Sequence, residues 1–163
     1  MARPREFDQQ VVLDKAMNVF WSQGYSGTSM SDLTGAMGLS KSSLYDSFGS
    51  KHELFLQAMD HYRNNVTARI KSIVDLKAPP KQVIASVVGR AVDRILAPSG
   101  KRGCFMNNCA GEVAPTDDEV ARRSAAGFSV MEDTFFHLIE RGQKQGSIPA
   151  NKNSRALARF LTA

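Results

Sequence analysis

At 163 residues, 42% hydrophobic and 23% charged, the chain has the composition of an ordinary globular protein long enough to bury a real core. It has no apolar run near the about eighteen residues of a membrane span and no apolar segment of a secretory signal after Met-Ala-Arg-Pro-Arg-Glu. Its two cysteines make no disulfide framework, so a reducing, cytoplasmic setting is expected. The net charge of +5 is no argument for nucleic acid by itself, because residues 1–57 hold five Lys and Arg against six Asp and Glu, and the surplus lies further along.

No run sustains period-two alternation, and the whole chain reads as helical. The first predicted helix covers residues 8–23, with Val12, Ala16, Val19 and Phe20 on one face and Gly24 ending it. In the second, Met30, Leu33 and Met37 form an apolar stripe with Ala36 beside it, and Gly38 breaks the helix. Ser40 caps the third, where Leu44 and Phe48 form a buried edge and Lys41, Ser42, Ser43, Tyr45 and Asp46 a polar outer face. Ser50-Lys-His-Glu53 is a capping box that opens a long fourth helix carrying Leu54, Phe55, Ala58, Met59, Tyr62, Val66, Ile70 and Ile73. After the break at Ala78-Pro-Pro80, residues 83–96 form a fifth helix, residues 97–103 a loop, and residues 104–113 a short helix stopped before Pro115. Thr116-Asp-Asp-Glu119 reads as another capping box, opening a long helix to about residue 145. Gly146-Ser-Ile-Pro149 is a loop, and residues 154–163 begin a further helix.

A short helix with a polar face, held by a preceding helix across a glycine turn, is the pattern of a helix-turn-helix DNA reader. The run from Thr28 through Leu39-Ser-Lys-Ser-Ser-Leu-Tyr45 to Phe48-Gly-Ser-Lys51, with Ala16, Phe20, Gly24 and Tyr25 before it, resembles the amino-terminal domain of the TetR family of bacterial repressors over residues 8–58. The resemblance implies an all-α fold: a three-helix DNA-binding domain at 1–57 (motif at 29–48), joined by a long helix to a helical effector-binding and dimerisation domain at 58–163. It also implies a repressor that binds a palindromic double-stranded operator as a homodimer and is released by a small-molecule effector. Family members continue through two helices beyond the Pro149 position, whereas this sequence ends within the first.

Within the reader, Tyr45 is a phosphate donor whose ring packs, and the matching family tyrosine contacts the DNA backbone. Lys41 and Lys51 match family positions that pair with phosphates. Thr28 caps the second helix and offers its hydroxyl or the helix amides to a phosphate. Ser42 and Ser43 face the groove, Ser42 standing where a glycine is common. Asp46 stands where an aromatic residue or histidine is frequent. It is either a specificity residue accepting from a cytosine amine or a surface residue held off the duplex. Arg3 and Arg5 form either an arm reaching a groove or phosphate, or a tail.

On the effector side, Cys104 follows a glycine at a helix start beside Lys101 and Arg102, influences that favour thiolate. The pattern Gly-Cys-x7-Glu-Val resembles an electrophile- or redox-sensing TetR subgroup. Cys104 is therefore read either as a sensor or as a small core residue. Cys109 lies five residues on, about 140° around a helix, which excludes an intrahelical disulfide or shared metal. Phe105, Met106, Phe128, Met131 and Phe135 are pocket candidates, with Asn108 and Glu112 as polar groups to orient an effector. The sequence has no phosphate-cradling glycine loop, paired-histidine metal motif or nucleophile elbow, so no enzyme activity, metal or cofactor is expected. A further reading keeps the helix-turn-helix as a scaffold for protein contacts, to which the acidic balance of residues 1–57 lends weight.

Overall fold

The computed structural model describes residues 8–74, 78–97 and 102–163, apart from the side chain of Arg94; Arg3, Arg5 and Lys101 lie outside the described residues. Among these, eight α-helices and no strand are present: α1 (Gln9–Gly27), α2 (Met30–Met37), α3 (Lys41–Phe48), α4 (Lys51–Val74), α5 (Pro80–Leu96), α6 (Phe105–Glu112), α7 (Asp118–Lys144) and α8 (Ser154–Thr162). Among the described residues, no helix is long and apolar enough to cross a membrane. The described residues pack into two compact units, one drawn from residues 1–64 and 104–123, the other from residues 65–103 and 124–163.

The amino-terminal unit follows from local chemistry. Asp8 caps α1 through its carboxylate, which accepts the Gln10 N–H at 2.9 Å. Val12, Leu13, Ala16, Met17 and Phe20 form the buried face of α1; Val19, expected there, is only half-buried. Gly24, at φ +76° and ψ 171°, breaks the helical path before residues 25–27. The cap of α2 is Ser29: its hydroxyl accepts the Asp32 N–H at 3.1 Å while the Asp32 carboxylate accepts the Ser29 N–H at 2.8 Å. Thr28 therefore does not cap α2; it is 2% exposed and donates its hydroxyl to the Gly24 carbonyl at 2.6 Å. Ser40 caps α3 as the sequence indicates, and Ser50 with Glu53 forms the expected box before α4.

This unit also holds a cluster of aromatic rings. Phe20 meets Phe55 edge-on at 5.0 Å, Tyr25 lies 4.7 Å from Phe55, and Phe105 of α6 packs edge-on to Tyr62 at 5.5 Å and to Phe55 at 6.3 Å. Trp21, the only tryptophan in the chain, stands edge-on to Tyr62 at 5.5 Å and tilted against Phe105 at 5.9 Å. Such pairs add about 0.5–1.5 kcal/mol each beyond the area they bury.

The carboxy-terminal unit has its own core of Val83, Phe135, Leu138, Ile139, Ile148 and Ala158, with Ile84, Val87, Met131, Phe136, Leu157 and Leu161 packed against it. Its fifth helix begins at Pro80, earlier than the periodicity indicated, because proline suits the first helical turn, where its missing N–H leaves no bond unmade. Asn153 caps α8 by accepting the Ala156 N–H at 2.9 Å. Gln143 fastens the preceding loop, donating to the Pro149 and Lys152 carbonyls at 3.0 and 2.8 Å and accepting from the Ser154 hydroxyl at 2.7 Å.

Candidate nucleic-acid interface

Helix α3 is eight residues long, too short to persist alone, and is held by what it buries. Leu44 is fully buried and Phe48 is 3% exposed; sinking a leucine this far contributes about 1.5–3 kcal/mol. With those two inward, the helical period turns Ser42 and Asp46 outward, one turn apart, with Tyr45 on their flank. Lys41, Ser42, Tyr45 and Asp46 are exposed, Tyr45 at 44%, and Ser43 is half-buried. The Ser40 hydroxyl bonds to those of Ser42 and Ser43 at 3.0 and 2.8 Å, so the amino-terminal turn of α3 carries a linked row of hydroxyls.

The corner between α1 and α2 is fastened from a distance. The two carboxylate oxygens of Glu112, at the end of α6, accept the N–H groups of Tyr25 and Ser26, each at 2.9 Å. Partial burial acts to raise the Glu112 carboxyl, but the Ser26 and Tyr25 N–H groups, with the nearby Lys51 charge, hold it below the ordinary carboxylate range. Lys51 places its ammonium 4.5 Å from the centre of the Tyr25 ring, a cation–π contact. His52 meets the other side of the neighbourhood, its ring edge-on to Tyr25 at 6.3 Å and its Nε2 2.6 Å from the Asp117 carboxylate. Burial first, and Asp117 second, push the Tyr25 phenol upward.

Asp117 is itself the cap of α7, accepting the N–H groups of Glu119 and Val120 at 3.0 and 3.1 Å. The expected cap, Thr116, is one residue too early. It belongs to a 3-10 turn at Ala114–Thr116 and spends its hydroxyl on the Val113 carbonyl. The Val120 N–H above all, with His52 also contributing, holds the Asp117 carboxyl low. Arg123 pairs with Asp60, adding a tie between the start of α7 and α4.

The eight effector-side candidates are divided between the two units. Cys104, Phe105, Met106, Asn108 and Glu112 belong to the amino-terminal unit, and Phe128, Met131 and Phe135 to the other. Phe105 and Met106 are buried, Asn108 is exposed, Phe128 and Met131 are half-buried, and Phe135 is a core residue. Glu112 faces the reader's backbone amides, where the sequence reading had it orienting an effector. Cys104 is the half-buried residue just before α6, with Sγ 3.5 Å from the Tyr62 hydroxyl. Cys109 is buried, and burial first, with Glu112 and Cys104 adding, pushes its thiol up to about 12.

The sequence reading missed Tyr25, His52 and Asp117 as a cluster and Ser29 as the cap. The signal for that cap is nonetheless in the sequence: Ser29 stands three residues before Asp32, the spacing of a capping box. The Glu112 clamp has none, since its partners are 86 and 87 residues away.

Two family models match the chain: the bacterial regulatory proteins of the tetR family over residues 12–58, and the tetracyclin repressor-like C-terminal domain over residues 80–163. The chain belongs to the TetR family. Among its relatives, the uncharacterized HTH-type transcriptional regulator YezE of Bacillus subtilis is 34% identical, over 99% of this chain and 84% of its own length. The HTH-type transcriptional repressor ComR of Escherichia coli is 30% identical, over 98% and 76%. A solved structure of the TetR-family regulator CifR, a cysteine mutant complexed with 26-base-pair double-strand operator DNA, superposes with a TM-score of 0.81 at 31% identity, covering 98% of this chain and 84% of that one. This TetR-family chain is accordingly a transcriptional regulator, built on the all-helical helix-turn-helix fold its sequence indicated.

Proposed function

We propose that the chain is a repressor that binds a palindromic double-stranded operator as a homodimer, reads it with α3, and leaves it when a small-molecule effector is bound. The observation that carries this reading is α3 itself. Leu44 and Phe48 are spent on the core, and Lys41, Ser42, Tyr45 and Asp46 are left outward. The reader function is assigned to residues 1–57, with its motif at 29–48, and effector binding and dimerisation to residues 58–163. Similarity to CifR, whose operator complex is known, and to the repressor ComR supports the assignment.

Tyr45 and Lys41 hold phosphates, Ser42 and Ser43 approach the groove, and Asp46 accepts from a cytosine amine. Thr28, buried with its hydroxyl committed, shapes the corner and leaves the exposed Ser29 turn to meet the backbone. Lys51, seated over Tyr25, contributes charge from behind. Selection of binding sites from a genomic fragment pool tests the reading, and a two-fold symmetric site is the expected product. Tyr45→Phe and Lys41→Ala should each weaken that site by about 1–3 kcal/mol. Recovery of no site at low salt would leave the scaffold reading standing in its place.

A second reading is favoured by the contrast between the two cysteines. Cys109 is buried with a raised thiol, so Cys104 is the one left to answer an electrophile or oxidant. Its modification would act as the effector event. Cys104→Ser that retains full release of DNA by such agents would eliminate it.

A further inference from the structure

We infer that Glu112 is a positioning residue for operator reading: α6 holds the reader in its DNA-competent geometry by clamping the α1–α2 corner through one carboxylate. The inference rests on the DNA-binding reading above and goes beyond it by naming the group that sets the reader's geometry.

The clamp is a built site. Gly24, with φ +76° and ψ 171°, turns the chain so that two successive N–H groups, those of Tyr25 and Ser26, converge on one anion, the arrangement of a backbone nest. Glu112 fills it with one oxygen to each N–H, both at 2.9 Å. The fit leaves no room behind it: a Cβ on Gly24 would stand 2.8 Å from Glu112 Oε2. The carbonyl of Gly24 is taken by the Thr28 hydroxyl, and the Thr28 N–H bonds the Tyr25 carbonyl at 3.3 Å, so the whole corner is pinned. The next residue, Ser29, is the cap that starts α2, and α3 follows across Gly38. The direction in which α2 and α3 leave α1 is thus set at the peptides Glu112 grips.

Its location separates Glu112 from an ordinary stabilising pair. It lies on the last residue of α6, and its partners are the exposed amides of a corner, which water would satisfy if the clamp opened. The folded unit therefore survives loss of the clamp, and what changes is how tightly the corner is held. Hydrogen bonds to a charged group are stronger than neutral ones, but water recovers part of their contribution at this exposed corner. The expected cost appears in the geometry of reading more than in stability.

The test uses the full chain and the operator that the wild-type protein selects. Glu112→Gln keeps the shape, loses the charge and leaves one acceptor for two donors; Glu112→Ala removes both acceptors. Operator affinity should fall about threefold to tenfold for the glutamine and about tenfold or more for the alanine, a tenfold loss being about 1.4 kcal/mol. Amide hydrogen exchange at Tyr25 and Ser26 should speed up in the same order. Val83→Ala, a core change in the other unit, serves as a control that lowers stability without touching the corner. It should leave the affinity of the folded protein unchanged. Fast exchange at Tyr25 and Ser26 with wild-type affinity would overturn the inference, as would an equal loss of affinity in Val83→Ala at equal destabilisation. Failure of the wild-type chain to select any DNA would instead overturn the DNA-binding reading.

Discussion

Gly49→Ala is expected to destabilise the amino-terminal unit by two separable routes. Gly49 ends α3 at φ +77° and ψ −127°, a conformation outside the left-handed helical region and closed to residues with a side chain. Forcing alanine into it costs about 1–3 kcal/mol. The added methyl also overlaps the Glu53 carboxylate, which is bonded to the Ser50 N–H at 2.6 Å, so that carboxylate must move and the Glu53 half of the capping box that opens α4 is disturbed as well. Urea denaturation followed by tryptophan emission measures the sum, because Trp21 is the sole tryptophan and lies in the aromatic cluster of this unit. Repeating the substitution in a Glu53→Ala background removes the overlap and leaves the backbone cost, so the two routes are read apart. A Gly49→Ala midpoint within error of wild type would refute the reasoning, and with it the account of why the run Phe48-Gly-Ser-Lys51 carries a glycine. An equal cost in both backgrounds would refute the carboxylate part alone.

Other outcomes follow from the same contacts. In a homodimer, Lys41→Ala removes one phosphate partner per subunit, and the slope of log affinity against log salt should flatten by about 1.8; an unchanged slope would place Lys41 away from phosphate. Asp32, Glu53, Glu112 and Asp117 are all held below the ordinary carboxylate range in the folded chain. Their contribution is complete above their unfolded values of about 4 and is lost as pH falls through the lower folded ones. Acid unfolding of the wild type should therefore steepen below about pH 4, and Glu112→Gln should be less stable at neutral pH but lose less on acidification. Stability curves of equal acid slope would count against the clamp being ionised. With its thiol pushed up to about 12 and buried, Cys109 should resist alkylation at pH 8 while Cys104 is labelled first, as peptide mass spectrometry would show. Equal labelling in the native protein would contradict the burial of Cys109.

What the sequence made legible was local. The stripe of Leu33 and Met37, the stop at Gly38, the Ser40 cap and the inward pair Leu44 and Phe48 all act within a few residues, so spacing alone exposed them. The Ser50–Glu53 box is legible for the same reason. Thr116 misled because its hydroxyl had a nearer carbonyl to bond, and Asp117, one position later, was free to cap. Phe105 and Phe135 look alike along the chain, yet they sit in the cores of different units, a distinction that spacing does not carry. Glu112 was hidden for the strongest reason: a lone carboxylate near a helix end gives no hint that its donors are two backbone amides on α1.

Residues 104–123 complete the amino-terminal unit although they are made long after residue 64. On the ribosome, the three short helices and the start of α4 emerge with Trp21, Phe55 and Tyr62 still lacking Phe105, and with the corner amides still lacking their carboxylate. At about 5–20 residues per second the wait lasts seconds, during which the reader is an open half-core. The same discontinuity constrains chimeras. A reader cut out after α4 and grafted onto another bundle would arrive without α6 and the Asp117 cap. A transplant that keeps its shape must carry residues 104–123 along with the helices that precede them.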